Sequence, residues 1–191
     1  MEITDIYNLA LTAQNLKRVS SITENEMAKS VGAIYDAVLD EALTAHPWTF
    51  ATTIQQLSEP SGVTNYTAYD YLYQLPADPY FLQYQALMDS DGEEYRDQEY
   101  EIMRRYLYTD LESAYLKYTF RVDTPAEMTP DFGMYLAHLL AAKTANKNKQ
   151  SDKLEANLYV TAEFYRKRAI QAENKLKFSE DSGASLWVDN R

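Results

Sequence analysis

A chain of 191 residues with 29 acidic and 18 basic side chains carries a formal charge of −11, the wrong sign for gripping nucleic acid by its phosphates. Cysteine is absent, which excludes a disulfide framework and thiolate chemistry and fits a reducing interior such as a bacterial cytoplasm. The length suits one domain with its own core, and no apolar run approaches the ~20 residues of a membrane span.

Residues 3–14 predict a short helix, with Ile3, Ile6, Tyr7, Ala10 and Leu11 on one side and Thr4 or Asp5 as its cap. The opening residues, Met1-Glu2-Ile3-Thr4-Asp5, lack the basic start and apolar core of a signal peptide. A connector, Leu16 to Ile22, leads to a long amphipathic helix expected over 23–46. Thr23 and Glu26 stand at capping-box spacing. Met27, Val31, Ile34, Tyr35, Val38, Ala42 and Leu43 recur on one stripe. Pro47 stops the helix. Trp48, Phe50 and Ile54 then alternate with polar or small residues, which predicts a strand from Trp48 to Leu57. This helix and the strand it runs into are the expected organising core.

Further strands are expected over 66–75, 81–88, 99–108 and 113–122, separated by Pro- and Gly-bearing turns. In the last, Ala114, Leu116, Tyr118, Phe120 and Val122 face one way, a half-buried pattern. Thr129-Pro130-Asp131 then opens a helix over 130–146, with a threonine cap, proline at the first position and an acid in the first turn. A basic, Asn-rich break at 143–149 precedes the longest helix, 151–177, roughly 40 Å long. Its apolar stripe is Leu154, Leu158, Ala162, Tyr165, Ala169, Ala172 and Leu176. Arg166, Lys167 and Arg168 cluster on its middle. The tail, 178–191, contains one apolar triplet, Leu186-Trp187-Val188. It reads either as a frayed end or as a segment that orders by docking its tryptophan on a partner. Helices, then strands, then helices make α+β the expected fold class, with one domain over 1–177: a helical bundle packed with a mid-chain antiparallel sheet.

The residues offer little catalytic chemistry. His46 and His138 have no second ligand at metal spacing. Asp89-Ser90-Asp91-Gly92-Glu93 misplaces the glycine of a calcium loop and has Tyr100 where the bidentate acid belongs. With five glycines and none closely paired, no phosphate loop forms. No cofactor and no metal are expected. Seventeen tyrosines suit half-buried strands or subunit interfaces. The acidic balance reads either as solubility through repulsion or as a surface past which a polyanion slides.

The run Ile34-Tyr35-Asp36-Ala37-Val38-Leu39-Asp40-Glu41-Ala42-Leu43, followed by His46-Pro47-Trp48-Thr49-Phe50-Ala51, resembles the tail tubular protein A family, the head-to-tail adaptors of short-tailed bacteriophages. The Lys17-Arg18-Val19-Ser20-Ser21 connector, the Tyr71 to Asp78 stretch, the strand before the Pro130-Asp131-Phe132 helix and the helical end with its Ala-rich face are similar to that family in the same order. The likeness covers most of residues 3–177. It implies no enzyme, but a virion protein assembled in the host cytoplasm. That protein forms a ring, usually of twelve copies, between the portal and the tail nozzle, and DNA leaves through the ring during ejection. The likeness also implies that DNA passes through the channel without specific binding and that no membrane is involved. In related adaptors the C-terminal part reaches the portal, which implies docking roles for Leu186 and Trp187. Val188, Arg166 and Arg168 complete the expected partner-binding set. The alternative is a carbohydrate-binding or cell-wall-degrading tail protein that uses tyrosine-rich strands and the carboxylates Glu93, Glu94, Asp97 and Glu99.

Overall fold

The computed structural model describes residues 1–181, with side chains described to residue 175. The fold is α+β, with five α-helices and two three-stranded antiparallel sheets among the described residues. The chain divides into two compact units. A helical unit takes Met1–Phe50 and the chain from Val122 onward, and a β unit takes Ala51–Arg121.

In the helical unit, α1 (Ile3–Ala13) begins where the Asp5 carboxylate accepts the Glu2 amide at 2.9 Å. The connector after it is pinned by Asn8, whose amide donates to the Val19 carbonyl at 3.0 Å while its oxygen accepts the Val19 N–H at 2.7 Å. The helix expected over 23–46 is two helices, α2 (Glu26–Gly32) and α3 (Tyr35–Thr44). Its cap is Asn25, which accepts the Ala28 N–H at 2.9 Å, and not Thr23. The break falls at Gly32, a poor residue for a helix interior. A β-carbon there would sit 2.5 Å from Ile22 Cγ1, so glycine is required by the close passage of the connector. Gly32→Ala is therefore expected to lower the unfolding free energy by about 1–3 kcal/mol through overpacking. Helix propensity alone predicts a gain, and a urea titration separates the two.

α4 (Pro130–Lys149) is the hub of this unit, rather than the 23–46 segment: it packs against α1, α2, α3 and α5 (Asp152–Asp181). Phe132, Leu136, Leu140, Ala141 and Ala145 are all fully buried along it. Its start is as expected, with the Thr129 hydroxyl accepting the Phe132 N–H at 3.4 Å and Pro130 at the first turn. The Asn-rich stretch is not a break but the last turns of α4. Its polar side chains are used: Gln14 Nε2 donates to Thr144 Oγ1 at 2.7 Å, Asn148 Nδ2 donates to Gln14 Oε1 at 3.0 Å, and Ser30 Oγ donates to Asn148 Oδ1 at 2.7 Å. That chain of partners holds α1, α2 and α4 together, and satisfied buried networks rigidify a core.

The strand expected from Trp48 starts later. Thr49–Ala51 is a 3₁₀ turn and β1 is Thr52–Gln56. Trp48 belongs to the helical unit, where its indole N–H donates to the Ala42 carbonyl at 2.9 Å. Carbonyls in the last turn of a helix have no partner within it, so the indole caps α3.

The β unit holds β2 (Tyr71–Gln74), β3 (Phe81–Met88), β4 (Tyr100–Met103), β5 (Tyr106–Thr109) and β6 (Tyr115–Phe120). One sheet runs β1-β6-β3 and the other β2-β5-β4. Register is set by pairs such as Ile54 with Lys117, Tyr84 with Tyr118, and Leu72 with Tyr108. The single strand expected over 99–108 is a hairpin turning at Arg104, whose φ is 56°. No Asn-Gly or Asp-Gly marks it. Instead the Arg105 guanidinium donates to the Pro76 carbonyl and lies 4.7 Å over the Tyr80 ring. The core of this unit joins Leu57, Tyr73, Leu75, Leu87, Leu107, Ala114, Leu116 and Tyr118. Among the described residues, no helix is long and apolar enough to cross a membrane.

Candidate assembly surface

α5 runs for 30 residues, four beyond the expected end at residue 177, and buries Leu158, Ala162 and Ala169 on its packed side. Small residues along that stripe let two helix backbones approach. Three side-chain contacts fasten it to the helical unit. The Arg168 guanidinium lies 3.1 Å from the Asp131 carboxylate in the first turn of α4. The His138 ring of α4 stacks on Tyr165, with centroids 4.8 Å apart and planes 12° from parallel. Glu173, 2% exposed, accepts the Thr49 N–H at 3.1 Å and the Thr49 hydroxyl at 2.9 Å.

The other side of α5 is unusual for a solvated helix. Val160 and Phe164 are 72% and 60% exposed, one turn apart, with Tyr159 beside them at 39%. They line a shallow recess of about 490 Å³ whose rim carries Glu163 and Lys167. A second groove of about 420 Å³ lies on the other flank of Tyr159 and Glu163, walled by Glu41, Tyr135, Leu139 and Arg166. Burial pushes the Tyr135 hydroxyl up to about 12. It is therefore a neutral donor at any ordinary pH.

The expected partner-binding residues are distributed unevenly. Arg166 lines the second groove, and its guanidinium grips Glu163 through two hydrogen bonds of 2.8 Å. Those hydrogen bonds hold the Glu163 carboxyl below its usual range and raise the Arg166 guanidinium. Arg168 sits at the Asp131 contact instead, so the two arginines do not form one cluster. Leu186, Trp187 and Val188 lie outside the described residues. Sequence reasoning missed Val160 and Phe164, because both lie off the apolar stripe that packs inward. The signal was available: two apolar residues at i, i+4 off that stripe.

No three His, Cys, Asp or Glu side chains among the described residues come together as a metal-holding set. His138 is the perturbed base of this unit. Its Nδ1 is buried without a hydrogen-bond partner, and burial lowers its pKa below 6.5. A histidine held neutral in the fold binds fewer protons than in the unfolded chain. Its contribution is therefore full above about pH 6.5 and is lost as pH falls toward the depressed folded value. The melting midpoint is expected to drop between about pH 7 and pH 5, and His138→Gln to flatten that drop. Calorimetry of both proteins across the window checks it.

Neither a protein-family model nor a curated protein sequence matches this chain.

Proposed function

We propose that this chain is a structural virion protein, a subunit of the ring-shaped adaptor that joins the portal to the tail nozzle of a short-tailed phage and leaves a channel for DNA ejection. The observation that carries this reading is the exposed Tyr159, Val160 and Phe164 face on a 30-residue helix. Contiguous apolar surface of this kind marks contact with another macromolecule. A small-molecule site would be concave with a few convergent polar groups. The order of short motifs shared with the tail tubular protein A family supports the same reading. So does the charge of −11, because a like-charged channel lets phosphates slide past. The protein works by shape and contact, with the portal and the nozzle as its partners, and breaks no bond.

The alternative was a carbohydrate-binding or wall-degrading tail protein. Two pairs of the tyrosine rings it needs are stacked on each other. Tyr84 stacks on Tyr100 at 4.3 Å and Tyr71 on Tyr73 at 6.4 Å, while the Tyr73 hydroxyl lies 2.7 Å from each of the Leu111 and Glu112 carbonyls. Among the loop carboxylates, the Lys117 ammonium 2.9 Å away lowers the Glu94 pKa. A general acid needs the opposite shift. The adaptor reading is the better supported.

Cryo-microscopy of virions tests it. Density at the neck into which the two units dock is the expected result. Density only on lateral fibres or spikes contradicts it.

A further inference from the structure

The apolar face of α5 needs an occupant, and the chain itself contains a candidate. Val160 and Phe164 are 72% and 60% exposed, and Lys167, at the edge of the same recess, has a side chain 68% exposed. Beyond Asp181 the sequence continues as Ser-Gly-Ala-Ser-Leu-Trp-Val-Asp-Asn-Arg. Leu186, Trp187 and Val188 are its large apolar residues, and Asp189 follows them directly. The two segments are complementary in apolar character: a tryptophan flanked by aliphatics for an apolar recess, on a rim where the Lys167 ammonium lies 3.9 Å from the Glu163 carboxylate. Tryptophan is among the residues most enriched at interface hot spots.

Chain length decides whose tail fits. Phe164 and Val160 lie 17 and 21 residues before the end of α5 at Asp181, roughly 26 and 32 Å back along the axis at 1.5 Å per residue. Trp187 is six residues past that end, so its α-carbon reaches at most about 22 Å even fully extended. Residues used to reverse direction shorten that reach further. The tryptophan of a chain therefore falls short of the recess on its own α5.

We infer that the Tyr159, Val160 and Phe164 face of α5 receives the Leu186-Trp187-Val188 segment of a second copy of this chain. Donor and acceptor are different surfaces, so the contact is heterologous: each copy gives its tail to one neighbour and takes one from another, and the series closes as a ring or runs on as a filament. The inference deepens the adaptor reading and rests on it for ring closure. It assigns the triplet to a neighbouring subunit instead of the portal. A three-residue anchor covers far less than the ~800 Å² per partner of a stable interface. The tail is then a staple that engages once copies stand side by side, when its effective concentration is high.

Because the chain has no cysteine, site-specific cross-linking is clean. Full-length Lys167→Cys and Asp189→Cys proteins are mixed in equal amounts with portal rings and treated with a short bis-maleimide, and particle mass is read in parallel. The expected product is a mixed dimer linking position 167 of one copy to position 189 of another. Adding Phe164→Asp to the Lys167→Cys protein is expected to cut its yield at least about tenfold. The melting midpoint should hardly move, because the side chain is exposed. Full-size rings without the 167–189 link overturn the inference and leave the adaptor reading standing. A link from position 189 to the portal overturns it in favour of the portal as occupant. Cross-linked open oligomers support the inference but count against a closed ring, and absence of both link and ring overturns both.

Discussion

Trp48→Ala is expected to remove about 3–5 kcal/mol of stability, the largest loss of any single truncation in the helical unit. Trp48 is fully buried, with ring centroids 4.9 Å from His46, 5.1 Å from Phe132 and 6.4 Å from Tyr135. Its removal leaves a cavity lined by rigid aromatic rings, which relax poorly. It also strips the Ala42 carbonyl of its 2.9 Å donor. A domain with 5–15 kcal/mol in total would be left marginal. Trp48→Phe keeps most of the packing and loses the donor, so about 1–2 kcal/mol is expected. Urea titrations followed by circular dichroism measure both. Equal losses for the two variants would show that the hydrogen bond, and not the packing, dominates.

The second large effect is at Glu173. Its carboxylate is 2% exposed and accepts both the amide and the hydroxyl of Thr49, with His46 Nε2 3.8 Å away. Glu173→Ala removes the acceptor and leaves an amide with no partner, at a cost of about 2–3 kcal/mol. Glu173→Gln retains one acceptor oxygen and is expected to lose roughly half as much. Because Glu173 ties α5 to the turn after α3, the alanine variant should also speed amide exchange in α5 beyond Lys167. If that exchange is unchanged while stability falls, the carboxylate serves the turn alone.

These two sites show where the sequence was legible and where it was not. The α+β class, the Thr129-Pro130 helix start, β3 over residues 81–88 and the buried alternation at Leu116 and Tyr118 were readable, because each rests on local chemistry or a clean period. Three features were not. The split falls at Gly32, a glycine required by Ile22 crossing close by, a contact that periodicity within the helix cannot reveal. Trp48 alternates like a strand residue, yet tertiary contacts to Phe132 and Tyr135 hold it with the helices. The hairpin at Arg104 lacks turn residues and is held by Arg105 reaching the Pro76 carbonyl. Of the candidate surface, the basic cluster at 166–168 was visible as composition. Its division between Glu163 and Asp131 was not, since α5 turns Arg166 and Arg168 to different neighbours.

The most direct test of the adaptor reading is the mass of particles formed when the purified 22.0 kDa chain is added to portal rings and measured by mass photometry. The reading predicts a saturating increment equal to a whole ring of subunits, about twelve if the symmetry of related adaptors holds. A portal whose mass stays unchanged at saturating chain would contradict it.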